Sequence, residues 1–334
     1  MKRWSLDMDI KTVKEYLGSD WNAVQDYISS ILRSDINLLN STNDSILANS
    51  GKQMRPLLSL LFARACTGGR ITDASARYAA AAELLHNATL LHDDVADDSD
   101  QRRGVPTIRS LMGPSVSVLV GDYWLVKAME LILRDAPTDA RTIRIFSKTL
   151  SDLASGEMLQ LQKAQSGDTC EEDYLRVIYS KTASLFEAAC LSAAVSVGAS
   201  AEFEKAAVDY AVALGLAFQI KDDILDYDGT VSVGKPLGVD VLEQKITLPL
   251  LGALASASGQ KAAEIRNKIC NIPDHPEYRD DILAFVKEEH GIDYAVVRLQ
   301  EYVEAAVRAL DVLEDSPEKR LLVELAYYTA VREK

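Results

Sequence analysis

The chain has 334 residues and a formal net charge of −14, from 36 Lys and Arg residues against 50 Asp and Glu residues. This charge argues against nucleic acid or an anionic membrane surface as the main partner. Hydrophobic residues make up 48% of the chain and charged residues 26%, which is ordinary for a globular protein that buries a large core.

Membrane and secretion signals are not visible in this sequence. No uncharged apolar run reaches the ~18 residues of a membrane span, and no apolar signal region follows Lys2 and Arg3. The four cysteines, at positions 66, 170, 190 and 270, have no CxxC spacing and mostly stand in apolar helical sequence. We therefore predict buried free thiols, no transmembrane segment and a cytoplasmic location.

Helical spacing of apolar residues begins in residues 9–48, where we predict two helices that cap the body of the protein or contact another subunit. The loop 50–56 then leads into an apolar helix over residues 57–66. A loop at a helix N-terminus presents backbone N–H groups, and with Lys52 and Arg55 it is a candidate anion site. An ordinary loop with two surface cations is the alternative.

An alanine-rich helix predicted over residues 78–91 runs into the acidic stretch Asp93-Asp94-Val95-Ala96-Asp97. At about 100° per residue, His86, Asp93 and Asp97 lie on one face of that helix. Asp93 and Asp97 are one turn apart, so their carboxylates can share a metal ion, and their repulsion disfavours the helix unless cations relieve it. The alternative is an acidic, solvated helix end.

Two arginines, Arg102 and Arg103, end this segment. They either pair with the neighbouring aspartates or bind phosphate, which the guanidinium fork suits. Further apolar helices are predicted over residues 116–133, 143–161 and 173–197. The last contains Lys181 and Thr182, and a lysine in so apolar a helix needs an anionic partner unless its amine reaches the surface.

A second copy of the acidic spacing, Asp222-Asp223-Ile224-Leu225-Asp226, follows an apolar helical run over residues 210–220. Asp222 and Asp226 are again one turn apart, and Gln219 lies one turn before them on nearly the same face. Two helix ends with apolar walls below and carboxylates at the mouth indicate an apolar cavity with metal ions at its rim.

After the second motif, residues 229–240 form a Gly-rich loop that could close over a site, and Lys235 and the later Lys245 could reach anions there. Three or four charge-rich helices are expected over residues 250–334. No stretch shows the alternation of a strand, which predicts an all-α fold. Because no linker divides two motifs that must face each other, we predict one domain over residues 1–334.

Carboxylates, cations and an apolar cavity together indicate a class of reaction. Carboxylates do not bind diphosphate directly, but Mg²⁺ can bridge the two groups while keeping some of its waters. A metal-held diphosphate above an apolar pocket favours the ionisation of an allylic diphosphate, with the dry pocket protecting the carbocation from water.

At these motifs the chain resembles the trans-isoprenyl diphosphate synthases, the polyprenyl synthetase family. The resemblance rests on two DDxxD motifs in this order, with Arg-Arg-Gly after the first and Phe-Gln-x-x-Asp-Asp at the second, and it extends from about residue 45 to the C-terminus. One departure is Ser50, where the family usually has glycine. The resemblance implies the isoprenoid synthase fold, a helical bundle around a deep central cavity and usually a homodimer. It also implies head-to-tail condensation of isopentenyl diphosphate onto an allylic prenyl diphosphate.

The resemblance implies roles for individual residues as well. About three Mg²⁺ ions on the allylic diphosphate would be held by the aspartates of both motifs, Asp93, Asp94, Asp97, Asp222, Asp223 and Asp226. That diphosphate would also contact Arg102, Lys181, Lys235 and Lys245. The diphosphate of isopentenyl diphosphate would be held by Lys52, Arg55, His86 and Arg103. Thr182 and Gln219 would place oxygens near the developing cation, and the released diphosphate would take the proton.

Product length is predicted from the residues below the first motif. Thr89 lies one turn, about 5.4 Å, below Asp93, and Ala88 lies beside it. In short-chain members of the family, bulky aromatic residues near these positions block the growing chain. Because both residues are small here, we predict a long product of C30 to C50, near octaprenyl, with a floor near Trp124, Leu125 or Met129. A packing role for Ala88 is the alternative.

Three other functions remain open from the sequence. A shorter-chain synthase, making farnesyl or geranylgeranyl diphosphate, keeps the same chemistry with a nearer floor. A class I terpene cyclase has a similar fold, but it usually carries a different second metal motif. A non-catalytic subunit of a heteromeric synthase tends to lose the aspartates that are complete here.

Overall fold

The computed structural model describes residues 9–102, 104–134, 140–228 and 237–332. Its N-terminal half contains α1 (Ile10–Leu17), α2 (Ser19–Ile31), α3 (Asn37–Ala48), α4 (Met54–Thr67), α5 (Asp73–Ala96), β1 (Gln101–Arg102), β2 (Val105–Pro106), α6 (Ile108–Met112), α7 (Pro114–Leu133) and α8 (Ala140–Ser166). Its C-terminal half contains α9 (Glu171–Ile178), the π-helical turn Tyr179–Ala183, α10 (Ser184–Ser196), α11 (Ala201–Tyr227), α12 (Val239–Leu242), α13 (Leu248–Ser256), α14 (Gly259–Cys270), α15 (Tyr278–Glu288), α16 (Gly291–Ala309) and α17 (Pro317–Val331). The two short strands pair antiparallel and all other described elements are helical, so the predicted all-α fold is confirmed.

Helix α5 lies in the middle of the bundle because part of it is apolar on every side. Residues 79–82 are four consecutive alanines, all fully buried, and α4, α7 and α10 pack around the helix. A capping box of Thr72 and Ser75 fixes its N-terminus. The helix continues to Ala96, so most of the first acidic motif occupies its last turn.

Helix α11 is the second long helix that ends in acidic residues. The side chain of Ser200 accepts from the backbone N–H of Phe203 and caps its N-terminus, and the helix ends at Tyr227. Both acidic motifs therefore lie at helix C-termini, where the helix dipole contributes partial negative charge. Without a bound cation, this partial negative charge repels the aspartate carboxylates. The placement therefore strengthens the attraction of both motifs for a cation.

Two helix predictions need correction. Residues 9–48 form three helices rather than two, because the chain breaks at Gly18 as well as after α2. The helix predicted over residues 173–197 is interrupted at residues 179–183, where the turn widens to the π form. Such turns are rare and occur often at functional sites.

The prediction that the cysteines are mostly buried is wrong, although all four are free. Cys190 is buried and Cys66 half-buried, whereas Cys170 and Cys270 are exposed. The exposed pair stands at surface helix ends, since Cys170 is the N-cap of α9 and Cys270 is the last residue of α14. Within the described ranges, no helix is both long and apolar enough to cross a bilayer.

Candidate active site

The C-terminal ends of α5 and α11 meet around the segment that contains α12. Burial opposes the charge of Lys245, but Glu243, Asp240 and Asp97 outweigh it and raise the pKa of the lysine. Burial raises the pKa of Asp240 itself well above its usual range, and the charges of the second motif add to that rise. The backbone N–H of Lys245 donates to the carbonyl of Asp240 at 2.8 Å, the backbone N–H of Asp240 donates to Asp226 at 3.1 Å, and Lys245 and Asp97 line one cleft, so this segment connects the two motifs.

Asp93 occupies a crowded, half-buried position in the last turn of α5. Burial is the main reason that the pKa of its carboxyl rises from 3.8 to about 6. Lys181 opposes this rise, whereas Glu157 and Asp97 add to it. Without a metal ion, the neighbouring cations do not compensate the charge of the ionised Asp93 carboxylate. A bound cation would offset both the cost of burying this charge and the repulsion from Glu157 and Asp97.

Asp94 and Asp97 have different environments from Asp93. Asp94 is buried, and its Oδ1 accepts from Nε of Arg102 at 2.8 Å. Of the two alternatives for this arginine, the structure contains the internal ion pair. Asp97 is exposed at the C-cap of α5, and Arg103 lies outside the described residues.

The three aspartates of the second motif have three kinds of partner. Oδ1 of Asp222 accepts from the guanidinium of Arg332 at 2.8 Å, and the side chain of Asp222 remains 42% exposed. Asp223 is buried and accepts from the Tyr174 hydroxyl at 2.7 Å and from Gln219 at 2.9 Å. Burial raises the pKa of Asp223 to about 7 despite these two hydrogen bonds.

Asp226 holds the start of the next helix. Its two carboxylate oxygens accept from the backbone N–H groups of Val239 and Asp240, each at 3.1 Å. The carboxylate therefore connects the end of α11 to α12 across the undescribed residues 229–236, which include Lys235.

Two partners of the second motif, Tyr174 and Arg332, were missed by the sequence analysis. Tyr174 lies 49 residues before the aspartate that it contacts, and Arg332 lies 110 residues after its partner. Arg332 also donates to the carbonyl of Phe218 at 2.8 Å and lies 3.8 Å from the centroid of that ring. No spacing rule links positions so far apart, so no signal in the sequence pointed to either residue.

The π-helical turn directs two consecutive polar side chains toward neighbouring helices. Lys181 pairs with Glu157 on α8, and its Nζ donates to Oε1 of Gln160 at 3.1 Å. The Thr182 hydroxyl donates to Oε1 of Gln219 on α11 at 2.8 Å. The anionic partner that an apolar helix requires for its lysine is therefore present.

Four other residues that were predicted to bind diphosphate lie within the described ranges. Lys245 pairs with Glu243 beside the first motif. Lys52 lies 5.0 Å from the ring centroid of Tyr328, and buried Arg55 lies 4.7 Å from that of Phe186. His86 is half-buried on α5, two turns before Asp93.

The predicted chain-length residues face different surroundings. Ala88 is fully buried, whereas Thr89 is half-buried and its hydroxyl donates to the carbonyl of His86 at 2.8 Å. Fully buried Trp124 donates from Nε1 to Asn43 at 2.8 Å. Leu125 and Met129 are partly buried against the core. At this level of α5, Thr89 therefore stays partly accessible, whereas Ala88 is enclosed by its neighbours.

The donor set suits a hard divalent cation that also takes ligands from a substrate. In the described ranges, no group of three or more His, Cys, Asp and Glu side chains is close enough to hold a metal alone. Mg²⁺ is usually bound by one or two carboxylates together with waters and phosphate oxygens, so Asp93, Asp97, Asp222 and Asp226 fit it. A cleft of about 250 Å³ opens beside the first motif, lined by Asp97, Asp98, Gln160, Leu161, Glu243 and Lys245 among others.

Comparison with known proteins gives a consistent result. Residues 36–286 match the model of the family described as Polyprenyl synthetase. The chain is 39% identical to the octaprenyl diphosphate synthase of Haemophilus influenzae over 99% of both chains. It is 30% identical to component 2 of the heptaprenyl diphosphate synthase of Bacillus subtilis, over 98% of this chain and 92% of that one.

A solved structure is similar over the same length. The polyprenyl synthase of Caulobacter crescentus, crystallised with calcium and isoprenyl diphosphate, superposes with a TM-score of 0.88. The two chains are 32% identical, and the match covers 98% of each.

Proposed function

The chain belongs to the polyprenyl synthetase family, and from that premise we propose that it makes a long all-trans polyprenyl diphosphate by adding isopentenyl diphosphate to an allylic diphosphate. The observation that carries this proposal is the link between the two aspartate motifs, both at helix C-termini. The backbone N–H of Asp240 donates to Asp226, the backbone N–H of Lys245 donates to the carbonyl of Asp240, and Lys245 lines one cleft with Asp97. Relatives over nearly the full length include an octaprenyl diphosphate synthase and a heptaprenyl component. A product near octaprenyl is therefore our specific proposal.

We assign the metal site to both motifs. About three Mg²⁺ ions would be held by Asp93, Asp97, Asp222 and Asp226 together with diphosphate oxygens, and Asp94 and Asp223 would support them through Arg102 and Tyr174. The ions supply positive charge that stabilises the departing diphosphate. The calcium and isoprenyl diphosphate of the Caulobacter protein support this assignment.

The chain's own residues would divide the remaining work. Lys181, Lys245, Lys235 and Arg102 would bind and orient the allylic diphosphate, while Lys52, Arg55, His86 and Arg103 would hold isopentenyl diphosphate. The Thr182 hydroxyl and the Gln219 amide would stabilise positive charge as it develops. The apolar walls below would exclude water, and the released diphosphate would accept the proton.

We propose a homodimer that forms through an exposed apolar stripe on α7. Leu119, Val126 and Leu133 repeat every seven residues and are 68%, 53% and 46% exposed. A seven-residue repeat of this kind packs well against a second helix, and a copy of the same helix supplies a self-complementary surface. Leu119→Glu with Val126→Glu should give a monomer in light scattering, whereas Val297→Glu, at an exposed apolar residue on α16, should leave the dimer intact.

The test of the proposed function is a product analysis. The purified chain would be incubated with Mg²⁺, farnesyl diphosphate and labelled isopentenyl diphosphate, and the dephosphorylated product would be sized. We expect a product of C30 or longer. A C15 or C20 product would favour the shorter-chain synthase, and no incorporation would favour the cyclase or a chain that needs a second subunit. A single domain over residues 1–334 and a cytoplasmic location stay predictions.

A further inference from the structure

Two glycines lie on either side of the π-helical turn at residues 179–183. A β-carbon at Gly156 of α8 would lie 2.5 Å from Cβ of Ser180, and one at Gly215 of α11 would lie 2.5 Å from Cα of Ala183. Both distances are far shorter than van der Waals contact, so no larger side chain fits without movement of the turn or a helix. The π-helical turn is therefore pressed between two helix backbones.

Each glycine is followed one helical turn later by a glutamine that holds a side chain of the π-helical turn. Gln160, four residues after Gly156, accepts from Nζ of Lys181 at 3.1 Å. Gln219, four residues after Gly215, accepts from the hydroxyl of Thr182 at 2.8 Å. Residues i and i+4 share a helix face. On each helix, the glycine therefore lets the π-helical turn come close to this face, and the glutamine on the same face accepts a hydrogen bond from a side chain of the turn.

We propose that Gly156 with Gln160, and Gly215 with Gln219, act as two matched clamps that fix Lys181 and Thr182 in the active site. Gly156, Gly215 and Gln160 are then positioning residues, since they act through the side chains of the turn. The π-helical turn has an i→i+5 hydrogen bond, from the backbone N–H of Ser184 to the carbonyl of Tyr179, and the close contacts with α8 and α11 help to set where its side chains point. The inference rests on the proposed function, which gives Lys181 and Thr182 different tasks.

The two clamps predict different kinetic defects. Gly156→Ala displaces Lys181, a proposed ligand of the allylic diphosphate, and should raise the KM for farnesyl diphosphate about tenfold with little change in kcat. Gly215→Ala displaces Thr182, which faces the developing cation, and should lower kcat about 10²-fold, the effect of a shift of roughly 1 Å. KM for farnesyl diphosphate should change little in the second variant.

The control is Gly252→Ala, at an equally crowded contact between other helices. A β-carbon at Gly252 of α13 would lie 2.7 Å from Cβ of Tyr294 on α16, and neither residue contacts the site described above. This variant should lose stability without a change in kcat or KM beyond about twofold. The inference is overturned if the Gly156 and Gly215 variants show the same proportional loss in both constants, or kinetics like those of the control.

A second pair of variants decides the question if the alanine variants do not fold. Gln160→Ala removes the amide oxygen that Lys181 contacts and leaves the α8 backbone intact, and Gln162→Ala on the same helix is an exposed control. The first should raise the KM for farnesyl diphosphate and the second should not. Equal KM values in both would reject the clamp. An inactive wild-type chain would instead refute the proposed function, so the two failures are distinguishable.

Discussion

Replacing Asp93 by asparagine should stabilise the metal-free protein while it destroys activity. The side chain is half-buried, and its removal from water is the main cause that raises the pKa of the carboxyl from 3.8 to about 6. The folded state therefore holds a proton on Asp93 more tightly than the unfolded state does. Above the folded pKa the protein carries the full cost of the ionised, buried carboxylate, and below the unfolded pKa it carries none.

The size of the effect follows from the shift. About two pH units at about 1.4 kcal/mol each correspond to a cost of about 3 kcal/mol at neutral pH. Asparagine has the same shape without the charge, so Asp93→Asn should raise the free energy of unfolding by about 1–3 kcal/mol at pH 7.5. The gain should shrink below about pH 6 and vanish near pH 4.

Urea unfolding with a chelator present, followed by circular dichroism at pH 7.5 and at pH 4.5, measures this difference. Asp97→Asn is the matched control, since it changes the same residue type on an exposed side chain and should leave stability nearly unchanged. A destabilised Asp93→Asn variant, or a gain that is the same at both pH values, would refute the reasoning. Either result would mean that the wild-type carboxylate is not strained by burial.

The remaining predictions concern turnover, product length and the C-terminus. Asp93→Ala should lose nearly all turnover with a normal circular dichroism spectrum, and near-normal turnover would remove Asp93 from the metal site. Thr89→Phe should shorten the product, because Thr89 is the more accessible of the two predicted chain-length residues. Ala88→Phe should cost about 1–3 kcal/mol of stability, because Ala88 is fully buried, and it should shorten the product less than Thr89→Phe does. Unchanged product lengths by chromatography would reject the chain-length assignment. Arg332→Gln should lower the free energy of unfolding in urea by about 1–2 kcal/mol, because it removes the charge that pairs with Asp222 and the contact with the Phe218 ring. Arg320→Gln is the control, at an exposed ion pair on α17, and should lower it by less than about 1 kcal/mol.

Helix geometry explains why much of the site could be predicted. Residues four apart on a helix always share a face, so the pairing of Asp93 with Asp97 and of Asp222 with Asp226 followed from spacing alone. The apolar runs before each motif likewise predicted the long helices that became α5 and α11. The resemblance to a known family rested on these same local motifs, and the match over residues 36–286 confirms it.

Pattern arguments failed where the outcome depended on close packing. The sequence gives no sign that residues 179–183 leave the α-helical form, because that turn depends on how closely α8 and α11 approach it. Likewise, Ala88 and Thr89 are neighbours of similar size, and only the packed bundle shows that Thr89 stays partly accessible while Ala88 is fully buried. The exposure of Cys170 and Cys270 was mispredicted for the same reason.

The sequence by itself determined the all-α class, the two acidic helix ends and the chemistry they suit, because each depends on contacts within a few residues. Tertiary structure alone decided what each aspartate does. Asp94 pairs with Arg102, Asp223 is held by Tyr174, and Asp222 faces an arginine 110 residues away. These partners meet because helices pack, and the free energy of that packing is spread over the whole core rather than encoded at the positions that touch.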